Sequence, residues 1–211
     1  MEVVDILSKP YQNTPLLFVI LEAIGVVFGL LSVIFSKRDN ILVFPTGMIS
    51  TLIFVYILWK YQLIGDVMIN SYYFIMSIYG WYIWTRKVDT TNFIPITKTN
   101  FVEYKKVALL FSFATVFTLS VYFYFNKWEN WISGIDVLTT AIFFAGMWLM
   151  AKKKLENWIF WIIGDLISIP LYVYKELYLS ALQYFIFTII AIIAYQEWKR
   201  KLNKPQAELL K

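Results

Sequence analysis

Apolar and polar positions in this 211-residue chain fall in long blocks rather than alternating singly. Seven apolar runs stand out: Pro15–Ser36, Ile41–Trp59, Val67–Trp84, Val107–Phe125, Trp131–Ala151, Asn157–Tyr174 and Leu177–Gln196. Each is about 18 to 22 residues long, enough to cross roughly 30 Å of hydrocarbon as a helix rising 1.5 Å per residue. No Lys or Arg lies inside any of them. The pattern predicts an all-α polytopic membrane protein with seven transmembrane helices.

Charge turns that count into a topology. One alternate set of gaps, together with the C-terminal tail, holds 15 of the 19 basic residues, from Lys37 and Arg38 to Lys204 and Lys211. The other set holds only Lys9, Lys60, Lys127 and Lys175. The positive-inside rule then places the basic gaps and the C-terminus in the cytoplasm and the N-terminus outside. Composition narrows the function. With 60% hydrophobic residues and a mean hydropathy of +0.63, little chain remains for a soluble catalytic domain. The pI of about 9.2 reads as topology-setting charge, not nucleic-acid binding. The chain contains neither Cys nor His. Zinc sites built on those ligands and Ser-His-Asp or Cys-His catalysis are therefore excluded, and no metal or other cofactor is expected. The opening MEVVDILSKP carries two acids and reads as retained, not cleaved. Aromatics at the run ends, among them Trp59, Trp81, Trp84, Trp128, Trp131, Trp158 and Trp198, suit interfacial belts.

Shifting the chain on itself by 117 residues pairs Asp39-Asn40 with Glu156-Asn157, and Gly47 with Gly164. Past Tyr61 the shift drops to 114, pairing Trp84 with Trp198. The expected organisation is 3+1+3, two parallel three-helix bundles joined by one linker helix. Its parts are a periplasmic segment 1–14, a first bundle 15–87, a linker with its crossing 88–125, a second bundle 126–200 and a tail 201–211. Parallel repeats about an axis normal to the membrane are a transporter architecture, with substrate near the midplane.

The spans contain three carboxylates, Glu22, Asp136 and Asp165, and no basic side chain. Such charges usually face a cavity, and without a basic partner that cavity favours a cationic solute. Asn40 and Asn157, at the starts of the second and sixth helices, suit N-caps or a repeated polar pair. Asn70 and Gln183 lie a turn or two inside the third and seventh runs, where a buried amide needs a partner. Trp158, Trp161 and Asp165 share one helix face. A flat cationic ring stacks on such indoles while amides bond its polar groups. Phe44, Tyr73 and Phe187 complete the candidate aromatic set. Pro45 and Pro170 are expected to interrupt the second and sixth helices. Gly25, Gly29, Gly134 and Gly146 suit close helix contacts.

GDVMINSYYFIMSIYGWYIW (65–84) and ENWIFWIIGDLISIPLYVYKELYLSALQYF (156–185) resemble the PnuC family of bacterial nicotinamide riboside transporters. The likeness covers about Gly25 to Arg200, and departs from the family pattern at Asn70, where Gln is usual. It implies a fold related to the SWEET sugar transporters, and facilitated diffusion of nicotinamide riboside across the inner membrane with trapping by a cytoplasmic kinase. Relatives that carry thiamine make that cation the alternative substrate. A membrane-embedded enzyme using Asp165 or Asp136 as base, and a non-transporting receptor, are the readings from other classes. The implied partners are the lipid bilayer and a small cationic vitamin, without nucleic acid. A homo-oligomer remains one option.

Overall fold

A computed structural model describes residues 15–61, 64–87, 93–128, 130–174 and 178–203. Lys9, Tyr11, Lys175 and the rest of 1–14, residues 88–92 of the linker and the tail from 204 lie outside the described residues. Within them are seven helices: α1 Leu16–Lys37, α2 Val43–Lys60, α3 Ile64–Trp84, α4 Phe101–Tyr124, α5 Trp131–Ala151, α6 Asn157–Tyr174 and α7 Tyr178–Asn203. Six are long and apolar enough to cross a membrane. The exception, α3, spans 21 residues but carries Asp66, Asn70 and four tyrosines.

Neighbouring helices pack as α1 on α2, α2 on α3, α5 on α6 and α6 on α7. Contacts of α3 with α5 and of α7 with α1 close these six into a ring. The fourth helix packs outside the ring, against α5 and more lightly α3. Lipid-facing side chains are apolar, as a hydrocarbon solvent requires: Leu16, Leu109 and Phe113 are among the most exposed. Trp59, Trp81, Trp128 and Trp131 are exposed at helix ends, where a belt would lie. The belt reading fails for Trp84, Trp158 and Trp198, which are at most 4% exposed. They form the core of the basic end, where α1 and α5 finish and α2 and α6 begin.

That end also corrects the repeat. Both α2 and α6 are 18 residues long, starting at 43 and 157. The ends of α1 and α5 are 37 and 151, and those two tryptophans are 84 and 198, so every offset is 114 and no slip is needed. Backbone geometry repeats at the same offset. Asp39 (φ 62°) and Lys153 (φ 57°) are both left-handed residues just past a helix end. Asn40 N–H donates to Phe35 O at 2.9 Å, and Lys154 N–H to Leu149 O at 2.9 Å, the same reversal of chain in each half. The matching Asp39-Asn40 and Glu156-Asn157 pairs are thus a coincidence of loop chemistry. Under the corrected offset Asn40 corresponds to Lys154, and Glu22 to Asp136.

Repeat mates also touch one another. Asp39 pairs with Lys153 at 2.8 Å, Ser36 Oγ donates to Met150 Sδ at 3.4 Å, and the Trp84 and Trp198 rings lie 5.9 Å apart. Trp84 Nε1 donates to Met150 O at 3.2 Å, while Trp198 Nε1 donates to Ser36 O at 3.0 Å. Edge-on Phe44 meets Trp84 at 5.0 Å, as Trp158 meets Trp198 at 5.6 Å. Such reciprocal contacts are what an approximate twofold produces. Segment 93–100 latches over this end: Glu156 Oε2 accepts from Thr99 N–H and Oγ1, and Leu155 N–H donates to Thr97 O. An Asn100–Glu103 capping box then starts α4.

Two other expectations change. Pro45 lies in the first turn of α2, where its missing N–H costs nothing, so only Pro170 is interior to a helix. Gly25 faces Phe54 and Ile53 of α2, Gly29 faces Ser50, and Gly146 faces Phe160 and Trp161, whereas Gly134 meets only Trp128 in the adjoining loop.

Candidate functional site

The helix ring encloses a cavity of about 1100 Å³. Its lining begins at Asp66, Lys127, Asn130 and Ser180, at the end opposite the basic one, and stops at Ser36, Met150 and Trp158. Beyond that floor stand the interlocked Trp84 and Trp198, which close the basic end. Small residues on the early helices make the room: Gly25, Gly29 and Ser32 on α1, Gly47 and Ser50 on α2. Among the described residues, three carboxylates, Asp66, Asp136 and Asp165, line the cavity with one basic side chain, Lys127. A cation is therefore stabilised there and an anion repelled.

One wall is aromatic. Phe143 of α5 stacks on Trp161 of α6 at 5.4 Å (27° between planes) and lies parallel to Tyr184 of α7 at 6.1 Å. Tyr184 in turn meets Tyr172 at 5.0 Å. Phe143 reaches this position because Gly164 has no side chain: a Cβ there would strike its ring. Directly after Gly164 comes Asp165, 2% exposed, below the same wall. Deeper toward α3, Tyr72 lies flat on Phe144 at 3.8 Å and donates its hydroxyl to Phe144 O at 2.9 Å, pinning α3 to α5.

Of the candidate residues, Asn70, Tyr73, Trp158, Trp161, Asp165, Gln183 and Phe187 line this cavity. Asn40, Phe44 and Asn157 do not. Asn40 Oδ1 accepts from Leu42 N–H at 2.9 Å, capping the turn into α2. Phe44 is fully buried against Trp84 and Gly80, and its ring occupies the space a Cβ at residue 80 would need. Asn157 is also fully buried; its Nδ2 donates to Lys154 O at 2.6 Å, so it is no N-cap. Under the 114 offset Asn70 matches Tyr184, the neighbour of Gln183, so the two amides are near-related positions. Glu22 lies on α1 outside the cavity lining. Sequence reasoning missed Asp66, Phe143, Tyr172 and the α4 residues Thr118 and Tyr122. Asp66 precedes its apolar run, and nothing in the composition of α4 distinguishes it from a spacer.

A ring of apolar helices around a polar, aromatic-walled, net-acidic cavity is the build of a membrane transporter. The chain belongs to the nicotinamide mononucleotide transporter family, whose sequence model matches residues 19–200. It is 25% identical over 203 residues to the nicotinamide riboside transporter PnuC of Escherichia coli K12, covering 84% of each chain. The riboflavin/roseoflavin transporter RibM of Streptomyces davaonensis is 21% identical over 195 residues, with 89% of each chain covered. Among solved structures, the crystal structure of the vitamin B3 transporter PnuC superposes with a TM-score of 0.64 at 19% identity, covering 86% of this chain and 81% of that one. The family and this neighbour are transporters, and the protein is a multi-pass membrane transporter rather than an enzyme.

Proposed function

We propose that this protein carries nicotinamide riboside into a bacterial cell across the inner membrane by facilitated diffusion, a cytoplasmic kinase trapping the product. The observation that carries the choice of substrate is the charge of the described cavity lining, Asp66, Asp136 and Asp165 with Lys127. A pyridinium nucleoside brings a positive charge to this acidic lining and stacks on the Trp161 wall. The phosphate of nicotinamide mononucleotide would meet those carboxylates without an Arg clamp. Riboflavin, neutral in its ring, would bring no positive charge to this acidic lining. Thiamine, also a cation, is the nearest competitor.

The mechanism is rocking of two parallel three-helix units, 15–87 and 126–200, about the contacts at the basic end, with residues 88–125 joining them. Reciprocal contacts at the 114 offset support this 3+1+3 reading. With the basic end cytoplasmic, the conformation described here opens outward. Purified protein in liposomes tests the function. Labelled nicotinamide riboside should equilibrate without a proton or sodium gradient, and faster than the mononucleotide, riboflavin or thiamine. Riboside entry no faster than into empty liposomes would sink the proposal; faster thiamine entry would reassign the substrate; accumulation only under an imposed gradient would replace diffusion with coupling.

A further inference from the structure

Helix α4 is more than a connector. It stands outside the six-helix ring, yet Thr118, Val121 and Tyr122 reach the cavity lining. Thr118 is 4% exposed, and its Oγ1 is buried with no hydrogen-bond partner. That is unusual in this protein. The hydroxyls of Thr51, Thr115, Ser120, Thr139 and Thr188 each donate to the carbonyl four residues earlier. A helical threonine has that acceptor always at hand, so a buried hydroxyl that lacks it is held for another partner. One turn along the same face, Tyr122 donates its hydroxyl to Asp136 Oδ2 at 3.2 Å. Asp136 lines the cavity as well.

We propose that Thr118, Tyr122 and Asp136 form a second subsite that recognises the hydroxyls of a sugar-like group. The inference rests on the nucleoside reading given above and assigns its two halves to different walls. A carboxylate accepting from one hydroxyl and a threonine exchanging with its neighbour match a vicinal diol. Spacing agrees. Asp165 and Tyr172 are seven residues apart on α6, about 10 Å along the axis. Tyr172 stands two residues from the outer end of α6 and Asp136 five from that of α5, so the two are near one level, and both line the cavity. A ring held at Trp161 and Asp165 thus projects its substituent toward the outer mouth, where α4 waits. In this arrangement Trp161 and Asp165 select the cation, and α4 selects what is attached to it.

The test uses the full chain in detergent and two ligands with the same pyridinium carboxamide: nicotinamide riboside, and N-methylnicotinamide, which has no sugar. The parent should bind the riboside at least about tenfold more tightly. Thr118→Val, nearly isosteric, and Tyr122→Phe should each narrow that gap about threefold or more, leaving N-methylnicotinamide affinity within about twofold. Melting curves confirm folding, and either variant suffices if the other is unstable. An unchanged gap in the folded variants, or equal loss for both ligands, would overturn the subsite. A parent that binds neither pyridinium would instead remove the nucleoside reading on which it rests.

Discussion

Asp165 shows how a single side chain sets what a membrane cavity accepts. It is 2% exposed on α6, beside the Phe143–Trp161 stack, and a carboxylate so placed is costly unless a cation or a donor meets it. If the substrate is that cation, Asp165→Asn should weaken nicotinamide riboside binding by tenfold or more, on the order of 1–3 kcal/mol. Trp161→Ala removes the stacking face and should cost on the order of 1–2 kcal/mol, about tenfold in affinity. Calorimetric titration of folded variants measures both. Parent-like binding in both would move the substrate elsewhere in the cavity. Trp161 packs against the edge of the interlocked core, so Trp161→Ala should also lower the melting temperature, whereas Asp165→Asn should hardly move it.

Between elements, the decisive contacts are those exchanged at the basic end. Each third helix of a repeat sends its terminal tryptophan to the first helix of the other: Trp84 to Met150 O, Trp198 to Ser36 O. Met150 O keeps the Lys153 N–H and Ser36 O the Asp39 N–H, so losing either indole N–H removes one of two donors, at about 0.5–1.5 kcal/mol, together with part of a buried ring. Trp84→Phe and Trp198→Phe should each lower the melting temperature by several degrees. Because the two rings touch, at 5.9 Å, the double variant should lose less or more than the sum. Strict additivity in thermal melting would mean that the two contacts act independently, not as one closure. Lys153, ion-paired to Asp39 and over the Trp84 ring at 4.6 Å, belongs to the same assembly.

For the whole molecule, the open proposal is orientation. Arg86, Lys87, Lys152, Lys153 and Lys154 follow the ends of α3 and α5, and Lys199, Arg200 and Lys201 sit in the last two turns of α7, all at one end. The positive-inside rule makes that end cytoplasmic. A reporter that fluoresces only in the cytoplasm should be bright when fused after Lys211 and dark when inserted near Tyr61. The reverse pattern would invert the protein and make the described cavity inward-open.

The spans were legible because a membrane imposes one requirement on sequence, an unbroken apolar length: all seven runs lie within helices or nearly so, although α4 begins six residues before its run and α7 ends seven after. Asp165, Trp161 and Gln183 were legible as cavity residues for the same reason, since polar groups in hydrocarbon need a protected place. Loop chemistry misled. Asn40 and Asn157 look alike in sequence but stand at different points of the repeat, since the helix ends, not the loop residues, carry its true 114-residue offset. Tertiary structure alone decided that Trp84, Trp158 and Trp198 are core rather than belt, because a terminal tryptophan suits lipid headgroups and a protein interior equally well. It alone brought Thr118 and Tyr122 of α4 to the cavity: a helix hydrophobic on every side shows no face in its sequence, and only its neighbours determine which side meets the cavity.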